Sequence, residues 1–94
     1  MPLYLGFDSS TQSLTATVIE IDGARRAIAF EHVLVFDEAF PSFGTTHGVV
    51  RSGDGATVTA PPAMWAAALD RMMGILQRNV DVADIRAISG SAQQ

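Results

Sequence analysis

The sequence predicts an α/β fold: an antiparallel three-strand meander, then a crossover helix, then a fourth strand parallel to the first in one mixed sheet. Three observations carry the prediction. Residues 3–36 hold three β-type apolar runs separated by turn signals. Residues 61–78 place apolar side chains at the helical period. A last short apolar run, 85–89, follows that helix, and strands of one sheet joined through a helix run parallel.

The first strand, 3–8, reads Leu3-Tyr4-Leu5-Gly6-Phe7 and ends on Asp8. The carboxylate thereby lies at the C-terminal end of a strand, the edge where open α/β sheets hold ligands. Ser9-Ser10-Thr11-Gln12-Ser13 then crowds hydroxyl, amide and backbone N–H donors into a turn that can surround phosphate oxygens. In the second strand, 13–21, Leu14, Ala16 and Val18 alternate with Thr15, Thr17 and Ile19. Asp22-Gly23 is a tight-turn signal. The third strand, 26–36, puts Ile28, Phe30, His32, Leu34 and Phe36 on one face, with His32 as a partly buried sheet residue and not a ligand.

Residues 37–60 have no sustained period; with Pro41 and four glycines they read as a long loop. Phe40, Phe43, Val49, Val50 and Val58 would pin this loop to the surface, and His47 and Arg51 read as solvated loop residues. Loops of this length tend to be functional or mobile. Pro61-Pro62 suits a first helical turn, with Thr59 or Ala60 at the cap position. Trp65, Ala68, Leu69, Met72, Met73 and Leu76 form the apolar stripe, Asp70, Arg71, Gln77 and Arg78 the solvent side, and Asn79 a left-handed stop. A turn at Asp81–Asp84 leads to the fourth strand and the polar tail Ser89-Gly90-Ser91-Ala92-Gln93-Gln94.

Composition narrows the function classes. The 94 residues suffice for one small domain, and 48% hydrophobic content is that of a folded chain. Ten acids against six bases give a net charge of −4, which argues against nucleic acid as a partner. The longest apolar run falls far short of the ~20 residues that span a membrane, and the N-terminus lacks the pattern of a signal peptide, so the cytoplasm is the expected compartment. Without cysteine there are no disulfides or thiolate metal sites, and the two histidines are too scattered for a zinc constellation.

If the fourth strand lies beside the first and runs the same way, both polar stretches reach one sheet edge. Asp8–Ser13 and Ser89–Gln94 then form two walls of a cleft, where the terminal amides can meet sugar-like hydroxyls. The stretch Gly6-Phe7-Asp8-Ser9-Ser10-Thr11-Gln12-Ser13 resembles the first phosphate motif of the FGGY carbohydrate kinases, and Ile88-Ser89-Gly90-Ser91-Ala92-Gln93-Gln94 resembles their sugar-site motif. Within the family, Phe40-Pro41, Gly44-Thr45, Gly48-Val49 and Val58-Thr59-Ala60-Pro61 with Met64-Trp65 and Ala68-Leu69-Asp70 are most similar to the xylulose kinases.

The resemblance covers essentially the whole chain. It implies a ribonuclease-H-like, actin/hexokinase-type domain that is incomplete here, the N-terminal part of a cytoplasmic kinase that transfers phosphate from ATP to a sugar such as D-xylulose. It assigns Asp8 to catalysis as the holder of Mg2+, Thr11, Gln12 and Ser13 to the transferring phosphate, and Gln93 and Gln94 to the sugar. Two departures stand out: Ala92 replaces the family's glycine, and the chain ends before the histidine that follows the glutamine pair. The family's catalytic base lies downstream, so the fragment alone is expected to be inactive and to self-associate through uncovered sheet. A glycerol- or gluconate-type kinase of the same superfold and a non-enzymatic binding or assembly module are the alternative readings.

Overall fold

In a computed structural model, which describes residues 2–51, 58–59 and 61–92, the first strand to form the sheet is β1 (Leu3–Ser9). It pairs antiparallel with β2 (Ser13–Asp22), which pairs antiparallel with β3 (Arg25–Val35). The chain continues through a one-turn helix α1 (Phe36–Ala39), a 3-10 turn at Pro41–Phe43, and the short strands β4 (Val50–Arg51) and β5 (Val58–Thr59), which pair antiparallel with each other. The long helix α2 (Pro62–Asn79) then crosses over, and β6 (Ile85–Ala92) returns parallel to β1. The sheet order is β3-β2-β1-β6. The meander, the crossover and the parallel fourth strand are thus those that the patterning predicts.

The core is one layer between α2 and one face of the sheet. Leu3, Leu5, Leu14, Ala16, Val18, Leu34, Phe36 and Phe40 meet Met64, Ala68, Met72 and Leu76. Full burial of each large side chain contributes about 1.5–3 kcal/mol, so this layer is the main stabilising term. No helix among the described residues is long and apolar enough to cross a membrane.

The structure corrects several local expectations. The buried row of α2 is Met64, Ala68, Met72 and Leu76, spaced by four, whereas Trp65 and Leu69 are 43% and 45% exposed. A single sheet layer covers only a narrow strip of a helix; the rest of a wide apolar stripe stays outside it. Trp65 and Leu69 instead flank a shallow apolar groove with Phe7, Leu14 and Phe36. Ile28 leaves the face expected for it because Val18 pairs with Phe30 while Ile19 pairs with Ile28, making Ala29 a bulge. One extra residue reverses the alternation beyond it, and Ile28 becomes 65% exposed.

Residues 37–60 are not a featureless loop. Elements of two to four residues (α1, the 3-10 turn, β4 and β5) are too short to generate a period that sequence can display. The helix opens on Pro61, with no side-chain cap, and Ala60 lies outside the described residues. Asn79 is a helical residue whose Nδ2 donates to Ile75 O at 2.7 Å, and the extended Val80 ends the helix. The Asp81 turn is a 3-10 turn in which its carboxylate accepts from Ala83 N at 3.1 Å. Finally, β6 extends past 89 because Ser89, Gly90 and Ser91 go on pairing with Gly6, Phe7 and Asp8.

Candidate functional site

The β1–β6 pairing brings the two polar motifs together. Asp8 lies opposite Thr15 on β2 and Ser91 on β6. Ser91 Oγ donates to Asp8 Oδ1 at 3.3 Å across 83 positions of sequence. One step back along β1, Gly6 lies between Thr17 and Ser89. Alternation puts Leu5 on the α2 side, so Gly6, Asp8 and these four hydroxyl residues share the opposite face. The result is an exposed carboxylate ringed by hydroxyls, over a floor where Gly6 contributes no side chain.

The turn after β1 is closed by its own serines. Ser10 N donates to Ser13 O at 2.9 Å, and Ser13 N donates to Ser10 Oγ at 3.2 Å. The two hydroxyl oxygens are 3.0 Å apart, so Ser13 Oγ is engaged with Ser10. Thr11 and Gln12 are exposed at the tip. The β6 backbone reaches the same edge, Ala92 pairing with Ser9. Gln93 and Gln94 lie outside the described residues. His32 is half-buried and stacks on Phe30, ring centroids 6.3 Å apart. His47 is exposed, and of Arg51 only the backbone is described.

A second set of contacts holds the turn from below. Phe36 N donates to Gln12 O at 2.9 Å. The adjacent Asp37 carboxylate accepts from Thr45 Oγ1 at 2.6 Å, His47 N at 2.7 Å and Gly48 N at 3.0 Å. The Thr45 hydrogen bond, helped by the Gly48 and His47 amides, holds this carboxyl below its ordinary range. Thr46 and Val49 bridge around His47 and Gly48, whose φ values of 53° and 81° make a tight hairpin turn. Gly48 packs directly on the Ser10–Ser13 turn: a Cβ there would overlap the Thr11 carbonyl oxygen and lie 2.8 Å from its carbon.

Sequence reasoning left Asp37 in the loop and quoted Gly48 only within a resemblance, giving neither a part in holding this turn. The available signal was the His47-Gly48 dipeptide, a two-residue turn signal of the same kind as Asp22-Gly23, set between Thr46 and Val49. Among the described residues no group of three or more acidic, His or Cys side chains is placed to hold a metal ion.

No family model matches the chain. Curated relatives do. The chain is 36% identical to a xylulose kinase of Mus musculus over 91 residues, 38% to xylulose kinase 2 of Arabidopsis thaliana over 94, and 38% to a xylulose kinase of Schizosaccharomyces pombe over 93. These alignments take in 96–98% of this chain and 16% of each relative, so the chain spans about one-sixth of their length. Among solved structures, the Ppx/GppA family member of Aquifex aeolicus superposes with a TM-score of 0.59 at 12% identity, covering 97% of this chain and 26% of that one. A second Aquifex aeolicus PPX-GPPA structure gives 0.54 at 10% identity, with 99% and 27% covered. These likenesses establish the actin/hexokinase-type fold.

Proposed function

We infer, from a chain related in sequence to the xylulose kinases of the FGGY carbohydrate-kinase family, that it supplies the phosphate-facing N-terminal segment of an ATP-dependent sugar kinase converting D-xylulose to xylulose 5-phosphate. The observation that carries the reading is the Ser91–Asp8 hydrogen bond. It supports the reading because it joins, at one sheet edge, two stretches from opposite ends of the sequence.

Phosphoryl transfer depends chiefly on positioning and on charge stabilisation. In this reading Asp8 offers an exposed carboxylate, oriented by the Ser91 hydroxyl. Thr11 and Gln12 meet the transferring phosphate from the exposed tip and Ser13 from the base of the turn, where its N–H is held by Ser10 Oγ, and Gln93 and Gln94 border the sugar. The donor set suits magnesium, a hard cation that keeps several waters and is held by one or two carboxylates together with substrate phosphates. Asp8 would hold that ion, which when bound neutralises the phosphate charge. The base that deprotonates the sugar hydroxyl would come from the remainder of the kinase.

A chimaera tests this. With this chain replacing the matching segment of the Schizosaccharomyces pombe xylulose kinase, phosphorylation of D-xylulose is expected to persist. Asp8→Ala in that chimaera should lower kcat by roughly 10²–10³, the cost of losing one electrostatic element of a transfer site. Activity that survives Asp8→Ala unchanged would remove the site from this edge.

A further inference from the structure

We propose that Asp37 is a positioning residue for the Ser10–Gln12 turn: it grips the 46–49 hairpin and so holds the Gly48 backbone against the Thr11 carbonyl. The role in phosphate binding rests on the kinase reading above; the positioning itself does not.

Two consecutive carbonyls at the tip of the turn, those of Thr11 and Gln12, are both met by the 36–48 segment. Gln12 O receives Phe36 N, and Thr11 O abuts Gly48 Cα. These two contacts come from residues twelve positions apart, and Asp37, next to Phe36, joins them by accepting from Thr45, His47 and Gly48. Three donors on one carboxylate fix the hairpin in both distance and tilt. The φ of 53° at His47, unusual for a side-chain-bearing residue, is held by the same grip, because its N–H is one of the three donors. Without the carboxylate, the described hydrogen bonds left to this segment are the Thr46–Val49 bridge, which closes the hairpin on itself, and the long Thr45–Met64 contact to α2.

Among the described residues the charged surroundings are few. The His47 imidazole attracts the Asp37 carboxylate. From α2 the neighbour is the uncharged Met64 thioether, 3.9 Å from Thr45 Oγ1, while Arg71 donates to Ala39 O at 2.9 Å and stacks over the Phe40 ring. Glu38 is exposed.

The test is nuclear magnetic resonance on the 94-residue chain with labelled backbone amides. Because the folded structure holds the Asp37 pKa below its ordinary value of 3.8, the grip is complete above that value and is lost as the pH falls through the lower folded value. The amides of Thr11 and Gln12 are expected to move in that same transition as those of His47 and Gly48. Asp37→Asn should place all four near their acid-limit positions at pH 7 and abolish the transition. Thr45→Val, which keeps the carboxylate and removes one donor, should shift the transition upward and move the four amides part of the way. Thr11 and Gln12 amides that stay put in both variants while Gly48 moves would overturn the proposal, leaving Asp37 a staple of its own loop. Addition of magnesium-ATP separates the two claims. A response at Thr11–Ser13 that weakens about tenfold in Asp37→Asn supports both. No response in the unsubstituted chain counts against the kinase reading alone, and an equal response in both proteins counts against positioning.

Discussion

Phe36→Ala is expected to cost about 3–5 kcal/mol, the usual loss for truncating a buried Phe to Ala. Phe36 is 1% exposed and lies where the strand layer, α1 and α2 meet. Since a chain of this size is held by only about 5–15 kcal/mol, such a loss takes a large share of the total. The backbone N–H that reaches Gln12 O survives the substitution, so the effect isolates packing from the turn contact. Urea unfolding followed by circular dichroism should show a lowered midpoint with an unchanged slope. The paired control is Trp65→Ala. Trp65 is a larger aromatic but 43% exposed, and its loss should cost about 1 kcal/mol or less. If the tryptophan proved the costlier of the two, the buried row assigned to α2 would be wrong.

Gly48→Ala is the second large effect. With φ at 81°, a side chain is strained there whatever the space, at about 1–3 kcal/mol. There is also no space, because the new methyl group would enter the Thr11 carbonyl, and backbone is a poor yielder. The hairpin or the Thr11 turn must shift. Stability should fall by about 2–4 kcal/mol, the two penalties partly relieving each other. Gly44→Ala offers a comparison: its φ of 68° brings the strain, but nothing lies within 4 Å of the added Cβ. Its cost should be the smaller by roughly the overpacking part, about 1 kcal/mol or more. Equal losses at the two glycines would mean that Gly48 does not bear on the turn.

How much of this was written in the sequence depends on the length scale of each feature. Strand alternation such as Leu14, Ala16, Val18 and the period of α2 are repeated signals, and they led to the right layers and the right sheet order. That the Asp8 stretch meets the one beginning at Ser89 followed from setting the fourth strand beside the first and from the rule that strands joined through a helix run parallel. What stayed hidden depends on single events. The bulge at Ala29 redirects Ile28 without any mark in the pattern. Which strip of α2 meets the sheet depends on how much partner surface exists, and Met64 rather than Trp65 proves to be its first buried residue. The Asp37 contacts join residues 8 to 11 positions apart within a stretch dominated by turn residues, where one carboxylate looks like any other. For the assigned site residues, Asp8 and Thr11–Ser13 lie at one edge, and Gln93 and Gln94 fall outside the described residues.

The parallel pairing of β6 with β1 has a kinetic side. Each step of the meander closes a loop of only a few residues, but joining β6 to β1 closes one of about eighty, which costs roughly 2–3 kcal/mol more in chain entropy. Contacts so remote in sequence form late and, on an exposed margin, open early. β6 is such a margin, solvent-facing from Arg86 to Ser91. Amide hydrogens of β6 should therefore exchange with solvent well before those of β2, which has a hydrogen-bonded neighbour on both sides. The edge at Asp8 is completed last and breached first, and the persistence of β6 sets how long it endures.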